Sequence, residues 1–192
     1  MIKNCYIHKS AFVDHGAALG ENSKVWHNSH IMSGASIGER CSLGQNVFVS
    51  SGAKIGDNVK IQNNVSIYDG VECEKDVFIG PSVVFTNVIN PRSEISRKKE
   101  YQKTLIKRGA TIGANSTIVC GVEIGNYSFI AAGSTISRDV PDFALTMGSS
   151  GKIVGWMSEY GSRLYFDLHG IAFCENSKSS YRYSCGIVER LD

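Results

Sequence analysis

Apolar residues recur at every sixth position along most of the chain. The series runs without exception through fourteen positions from Ile7 to Phe85, stops, and resumes from Ile106 to Ile136, giving twenty hexads. A period of six is neither the 3.6 of a helix nor the 2 of an ordinary strand, so it indicates a repeat architecture. The anchors are Ile7, Val13, Leu19, Val25, Ile31, Ile37, Leu43, Val49, Ile55, Ile61, Ile67, Cys73, Ile79, Phe85, Ile106, Ile112, Ile118, Ile124, Ile130 and Ile136.

A second position, four residues after each anchor, is commonly small or β-branched, as in Ala11, Val47 and Val65. Gly often follows the anchor and Asn or Asp comes soon after it, and these residues suit tight corners. Each hexad therefore predicts one short strand plus one corner, with both regular positions pointing inward. Three hexads close a triangular coil, so twenty hexads give just under seven coils. At the ~4.8 Å spacing of neighbouring strands the prism is about 30 Å tall.

The predicted fold class is all-β, a parallel β-helix of hexapeptide repeats with one loop insertion and a short C-terminal tail. The β-helix occupies 1–141 and is interrupted by a polar loop at 87–105. Loops that leave a regular scaffold commonly carry function. Residues 142–192 form an extension that we expect to pack on the helix end. Within it, 152–168 is compatible with a short helix or an extended tail, and the last two dozen residues suggest a small hairpin.

Charge and hydropathy exclude several classes of partner. The net charge is +2, and the longest basic run, at 97–99, is broken by nearby glutamates, so we expect no nucleic-acid partner. No stretch approaches the ~20 apolar residues of a membrane span, and the N-terminus lacks signal-peptide features. We therefore expect a cytoplasmic protein without a membrane partner. The six cysteines include no Cys-x-x-Cys pair, and Cys41 and Cys73 fall on inward positions as packing residues, so no metal is expected.

Particular strings within the hexads resemble those of a known family. The hexads resemble the hexapeptide-repeat acyltransferases, and the strings resemble the nucleotide-sugar N-acetyltransferases of surface polysaccharide synthesis, such as those that acetylate a UDP-linked 3-amino-glucuronate for lipopolysaccharide O-antigen. The resemblance covers residues 1 to about 165. The strings are Val25-Trp26-His27, Leu43-Gly44-Gln45-Asn46-Val47-Phe48-Val49, Lys60-Ile61-Gln62-Asn63-Asn64-Val65-Ser66-Ile67-Tyr68, Gly80-Pro81-Ser82 and Phe85-Thr86-Asn87-Val88-Ile89-Asn90-Pro91-Arg92.

This resemblance implies a left-handed coil, acetyl-CoA as cosubstrate, a nucleotide-sugar substrate and a homotrimer with sites between its subunits. The implied chemistry is direct attack of a sugar amine on the thioester, without an acyl-enzyme. In the family, the Asn of the Phe-Thr-Asn string hydrogen-bonds the reacting amine, which corresponds to Asn87. Because many of these enzymes use a His as base, His27 and His30 compete for that role, and His27 is the candidate we carry forward.

The eighteen-residue coil predicts a ladder of polar residues on one corner, with Gln45, Asn63 and Pro81 above His27. Gln45, Gln62 and Asn63 are candidates to bind the sugar or nucleotide, although amide ladders also stabilise corners that bind nothing.

Two further residues are candidates for substrate binding. Arg92 in the insertion has a guanidinium fork that matches a carboxylate or phosphate. Tyr68 is suited to stack on or hydrogen-bond the nucleotide, and its alternative role is packing.

The resumed hexads supply the candidates for cofactor binding, by resemblance to the CoA-binding corner of the wider family. The family commonly has a Gly-x-Pro-Ala-Lys/Arg string here, whereas this chain has Gly148-Ser149-Ser150-Gly151-Lys152, without the proline. The candidates are Ala114 and Ala132 for the pantetheine arm, Gly133 and Ser134 beside them, and Lys152 for the CoA phosphates.

Three alternatives remain open from the residues. The acceptor could be a dTDP-3-amino-3,6-dideoxyhexose or a hydroxyl instead of a UDP-linked uronate. A zinc-dependent carbonic anhydrase on the same fold needs three His ligands, and only His27 and His30 lie near one another in the early hexads. A structural β-helix without catalysis would not bind acetyl-CoA.

Overall fold

Short parallel strands on three faces form the body of the molecule. The computed structural model describes residues 4–191, so the ends of the predicted β-helix and tail, at 1–3 and 192, lie outside the described residues. Face A contains β1 (Tyr6–Ile7), β4 (Lys24–Val25), β7 (Ser42–Leu43), β10 (Lys60–Ile61), β13 (Phe78–Ile79), β16 (Thr111–Ile112), β19 (Phe129–Ile130) and β21 (Ala144–Met147). Face B contains β2 (Phe12–Val13), β5 (His30–Ile31), β8 (Phe48–Val49), β11 (Ser66–Ile67), β14 (Val84–Phe85), β17 (Thr117–Ile118) and β20 (Thr135–Ile136). Face C contains β3 (Ala18–Leu19), β6 (Ser36–Ile37), β9 (Lys54–Ile55), β12 (Val71–Cys73), β15 (Thr104–Ile106) and β18 (Glu123–Ile124).

Parallel pairing between coils follows the predicted eighteen-residue register. Val25 pairs with Leu43, and Ile61 pairs with Ile79, so anchors stack on anchors. All anchors from Leu19 to Ile136 are buried, and Val47 and Val65 at the second inward position are buried with them. The fold is the all-β, left-handed parallel β-helix that was expected.

The corners have the backbone geometry that their composition predicts. Asn46 and Asn64 adopt positive φ angles of 56° and 61°, a conformation that Asn tolerates better than most residues. Gly44 is required for a different reason, because an added Cβ would lie 2.5 Å from Asn63 Oδ1 and 2.9 Å from Asn63 N. The coil above therefore leaves no room for a side chain at Gly44.

The polar insertion leaves the β-helix after face B and returns at Thr104, inside the predicted 87–105 loop. It contains one 3₁₀ helix (Lys98–Glu100). Hydrogen bonds close its neck: Gln102 N donates to Asn87 O at 3.0 Å, and Cys120 N donates to Thr86 Oγ1 at 2.9 Å. The first residues of the insertion are thereby fixed to the coil above.

The C-terminal segment extends face A and then leaves the repeat. β21 pairs in parallel with β19, which adds an eighth rung to face A, and β22 (Lys152–Trp156) folds back antiparallel to β21. The segment from residue 152 is thus extended rather than helical at its start. A three-stranded antiparallel sheet follows, where a hairpin was expected: β23 (Ile171–Cys174), β24 (Ser179–Ser184) and β25 (Ile187–Arg190).

A small second core joins this sheet to the end of the β-helix. Phe143, Leu164, Tyr181 and Val188 are buried together. Tyr181 OH accepts a hydrogen bond from Glu159 N at 3.0 Å.

Across residues 4–191 the structure contains no helix with the length and hydropathy of a membrane span.

Candidate functional site

One corner of the prism, between faces A and B, carries most of the predicted site residues, and we call it the AB edge. Main-chain hydrogen bonds join its rungs: Asn46 N donates to His27 O at 2.9 Å, and Asn64 N donates to Gln45 O at 2.9 Å. The ladder continues upward, where Gly133 N donates to Ala114 O at 2.8 Å. The predicted stacking of Gln45, Asn63 and Pro81 above His27, and of Ala132 above Ala114, is confirmed. The structure joins the two stacks into one edge, because Asn115 N donates to Pro81 O at 3.0 Å.

An open cleft of about 280 Å³ lies at the lower end of the AB edge. Asn63 Oδ1 accepts a hydrogen bond from Gln45 N at 2.9 Å, which orients the Asn63 carboxamide and leaves its amino group available. Gln62 is half-buried and makes no side-chain hydrogen bond within the described part of the chain. The cleft is lined by Trp26, His27, Ser42, Gly44, Gln45, Ile61, Gln62 and Asn63. Three predicted substrate residues and the candidate base thus share one cleft.

Four aromatic rings form a cluster at the lower end of this cleft, and two of them, Trp26 and His27, line it. Trp26 is 38% exposed and contacts Tyr6 of the coil below, with ring centroids 5.1 Å apart. His27 lies nearly parallel to Trp26, and His8 stacks on His27 at 3.5 Å. Desolvation, together with the nearby His27, lowers the pKa of His8. The repeat pattern predicts no role for Trp26 or His8, although Trp26 belongs to one of the strings that carry the resemblance.

His30, the competing histidine, lies on face B rather than at the AB edge. Its Nε2 is 3.0 Å from Asp14 Oδ1. Its ring meets Phe12 and Phe48 edge-on, at centroid distances of 6.4 Å and 5.9 Å. The two candidate histidines therefore point to different surfaces of the prism.

Three other predicted residues lie at a second corner, between faces B and C, which we call the BC edge. Asn87 is half-buried at the neck of the insertion. Arg92 is exposed, and its Nη1 donates to Pro91 O at 3.1 Å. Tyr68 is exposed and meets Phe48 edge-on. Within one protomer, face B separates Asn87 from His27, so a single chain does not bring the two predicted catalytic residues together.

The predicted cofactor residues occupy the upper part of the AB edge. Ala132 and Gly133 are exposed, and Lys152 is exposed at the start of β22. Ser134 is only 1% exposed, and its hydroxyl donates to Ala131 O at 2.6 Å and accepts from Gly148 N at 3.2 Å. Ser134 is therefore buried within the corner, main chain included, and presents no exposed group for a cofactor.

Neither a metal centre nor a reactive thiol emerges at these edges. Residues 4–191 contain no group of three or more His, Cys, Asp or Glu side chains able to hold a metal ion. Cys41 and Cys73 are buried at inward positions as predicted, and burial raises the pKa of both thiols. Cys120, near the BC edge, is buried as well.

Comparison with protein families matches most of the repeat region. Residues 16–51, 52–87 and 103–138 match the family described as bacterial transferase hexapeptide (six repeats), and together they exceed half of the chain. Residues 34–69 also match the description hexapeptide repeat of succinyl-transferase.

Two curated relatives show what the chain is similar to. The dTDP-3-amino-3,6-dideoxy-alpha-D-galactopyranose 3-N-acetyltransferase of Aneurinibacillus thermoaerophilus is 42% identical over 93 residues, covering 48% of this chain and 47% of that protein. The bifunctional protein GlmU of Shouchella clausii is 40% identical over 82 residues, covering 43% of this chain and 16% of that protein. The matched region thus spans less than half the length of either relative.

Solved structures share the architecture. A hexapeptide-repeat-containing acetyltransferase of Vibrio cholerae, complexed with acetyl coenzyme A, superimposes with a TM-score of 0.52 at 28% identity, over 74% of this chain and 72% of that chain. The acetyltransferase domain of PglB from Neisseria gonorrhoeae, also with acetyl coenzyme A, has a TM-score of 0.52 at 19% identity, over 79% and 58% of the two chains. The second likeness concerns the fold alone.

Proposed function

The chain belongs to the bacterial transferase hexapeptide family, and on that premise we propose that it transfers an acetyl group from acetyl-CoA to the 3-amino group of a nucleotide-linked sugar. The observation that carries the proposal is the AB edge, which has a polar cleft at one end and bare Ala and Gly main chain at the other. A long cosubstrate and a nucleotide sugar can therefore lie end to end along one edge. The acetyl-CoA in the Vibrio cholerae structure and the activity of the Aneurinibacillus relative support the same assignment.

Because Asn87 and His27 lie on different edges of one protomer, the proposed site needs edges from two protomers, and we propose that a homotrimer brings them together. If three prisms place face B toward a threefold axis, the AB edge of each protomer meets the BC edge of its neighbour. The outward residues on the strands of face B support this packing: none is Lys, Arg, Asp or Glu, and Val84 is 51% exposed. Face C, by contrast, carries ion pairs such as Lys54–Glu72. We therefore propose that Asn87 and Arg92 act on substrate held by the neighbouring AB edge.

In the proposed reaction the neutral sugar amine attacks the thioester carbonyl carbon. A C–N bond forms, the C–S bond breaks, and the sulfur leaves with the electron pair of the broken bond. The amine must lose one proton, which passes to the departing thiolate directly or through solvent, so no external reactant is needed. Asn87 accepts a hydrogen bond from the amine and orients it, and Asn at neutral pH does not itself take the proton.

The geometry separates the roles of Asn87 and His27. Asn87 belongs to the coil of Pro81, three rungs above His27, which is roughly 14 Å along the prism. A threefold rotation preserves this height, so the offset persists in the trimer. We therefore assign Asn87 to the reacting amine and His27 to the nucleotide end of the substrate, rather than to proton transfer at the amine.

Two acceptor sugars are compatible with this site. The strings quoted above favour a UDP-linked 3-amino-glucuronate, whose carboxylate Arg92 would meet. The Aneurinibacillus relative favours a dTDP-linked 3-amino-3,6-dideoxyhexose instead. Either product would serve as a precursor of surface polysaccharide such as O-antigen, and we expect the reaction to take place in the cytoplasm.

Product analysis separates the acceptors. The protein is incubated with acetyl-CoA and each nucleotide sugar in turn, together with the corresponding hydroxyl sugar as control. Free CoA is measured by its thiol, and the product is identified by mass spectrometry. The proposal expects one acetyl group on the 3-amino sugar and none on the hydroxyl control. Transfer to neither amine, with acetyl-CoA bound, would contradict it.

A further inference from the structure

We propose that the cleft at the lower end of the AB edge binds the pyrimidine base of the nucleotide sugar, with Trp26 as its stacking surface. The inference rests on the proposed function, which makes the substrate a nucleotide-linked sugar. It assigns a subsite to the base, a part of the substrate that does not react. It concerns uracil or thymine, which share the same imide edge.

The first observation is a slot created by three residues at the same position of consecutive coils. Trp26, Gly44 and Gln62 each follow a face A strand directly, and the outer two are two strand spacings apart, roughly 9.6 Å. Gly44 has no side chain between them. Because the next coil leaves no space for a Cβ at Gly44, the floor of the slot stays bare. The shape of the slot therefore matches that of a flat aromatic ring.

The second observation concerns the ring of Trp26. Tyr6, from the coil below, covers one side of it. His27, in the same coil, also lines the cleft, and its ring lies nearly parallel to the indole at a centroid distance of 6.3 Å. The remaining lining residues come from the coils above, so the side of the indole away from Tyr6 faces the cleft. Exposed aromatic rings held in this way provide stacking surfaces for nucleobases.

The third observation is the hydrogen-bonding chemistry of the slot. Uracil and thymine present a carbonyl, an N–H and a second carbonyl in a row. The amino group of Asn63 can donate to a carbonyl, because its Oδ1 is already occupied by Gln45 N. The Gln62 carboxamide has both a donor and an acceptor to offer. Cytosine lacks the ring N–H in its neutral form, and adenine has no carbonyl, so the slot favours a pyrimidine imide over these two bases.

Height along the prism favours the substrate base over the adenine of CoA. Trp26 lies three rungs below the coil of Asn87, roughly 14 Å away, which leaves room for the sugar, diphosphate and ribose between them. Ala114 and Ala132 lie above that coil, on the opposite side of the reacting centre. The cleft contains no carboxylate to repel the adjoining phosphates.

Binding is tested directly by the fluorescence of Trp26. The chain has two tryptophans, so Trp156→Phe leaves Trp26 as the single reporter. We expect UMP and dTMP to quench this fluorescence, with dissociation constants at least about tenfold below those of CMP and AMP. Unchanged fluorescence with UMP and dTMP, or an equal response to AMP, would overturn the inference. Calorimetric titration of the unmodified protein and of Trp26→Ala with UMP gives the same comparison independently of Trp156.

Steady-state kinetics add a second readout. Trp26→Ala is expected to raise the KM for the nucleotide sugar about tenfold, the loss expected for one stacked base, while kcat stays within about twofold. Trp26→Phe should recover most of the loss. Tyr165→Ala, which removes an exposed ring far from the cleft, is the matched control and should leave KM unchanged. Nucleotide binding at Trp26 without acetyl transfer would leave this inference standing and refute the proposed function. Acetyl transfer without nucleotide binding at Trp26 would refute this inference and leave the proposed function standing.

Discussion

The side-chain carbonyl of Asn63 accepts a hydrogen bond from the main-chain nitrogen of Gln45, one coil below, at 2.9 Å. This contact gives Asn63 two separable functions, since its oxygen holds the corner and its amino group faces the cleft.

Replacing Asn63 separates those functions. Asn63→Asp keeps the acceptor for Gln45 N but removes the donor and adds a negative charge, so we expect unchanged thermal stability and a KM for the nucleotide sugar about tenfold higher. Asn63→Leu removes both the acceptor and the donor. It should therefore raise KM and also lower the free energy of unfolding by about 1 kcal/mol. Asn64→Asp, at the exposed neighbouring position, is the control. Equal KM values for Asn63→Asp and the unmodified protein would refute this division.

Asn87 is expected to contribute to kcat rather than to folding. Asn87→Ala should lower kcat about 100-fold or more, because the amine loses its orienting acceptor. Light scattering should show the same oligomer as before. Asn90→Ala, an exposed change in the same insertion, should leave turnover unaltered. Undiminished kcat in Asn87→Ala would remove the assignment.

Thr86 is expected to position Asn87 through the neck of the insertion. Thr86→Val leaves Cys120 N without its acceptor, so we expect a loss of about 1 to 3 kcal/mol in unfolding free energy together with reduced kcat. Thr86→Ser should restore both, since the hydroxyl returns. A Thr86→Val protein with reduced stability but full kcat would show that the neck does not position Asn87.

His8 provides a pH-dependent probe of the aromatic cluster at the lower end of the cleft. Its pKa lies below the ordinary value because of desolvation and the nearby His27. A histidine with a lowered folded pKa binds fewer protons folded than unfolded, so its contribution to stability is lost as pH falls from the unfolded pKa toward the folded one. NMR titration should show the pKa of His8 rising toward the ordinary value in His27→Ala. An unchanged pKa would mean that His27 has no influence on it.

The sequence predicted the repeat region well, because the period of six determines which side chains point inward. Trp26 was missed since its role depends on the absent side chain of Gly44 in the next coil and on Gln62 beyond it. The contact of His8 with His27 spans nineteen residues, one more than the repeat, so the arithmetic of stacking does not find it. The tail lies outside the repeat. Its strands depend on the packing of residues such as Phe143 and Tyr181, and these contacts follow no sequence period from which they could be predicted.

Face B should control assembly. Val84→Glu places a charge on the face that we propose lies toward the threefold axis, and we expect monomers that remain folded but are inactive. Ser36→Glu, the equivalent change on a face C strand, is the control and should leave the oligomer intact. Light scattering and circular dichroism distinguish dissociation from unfolding. A trimer that tolerates Val84→Glu would indicate that another face forms the interface.

Mixing two inactive variants tests most directly whether each site is shared between protomers. Asn87→Ala impairs the BC edge, and Ala132→Trp obstructs the AB edge. When the two are unfolded, mixed in equal amounts and refolded, random assembly joins an intact AB edge to an intact BC edge at about a quarter of the interfaces. If the site is shared between protomers, about a quarter of the unmodified acetyltransferase activity should be recovered. Activity no greater than the average of the two variants refolded separately, with mixed trimers present, would contradict it.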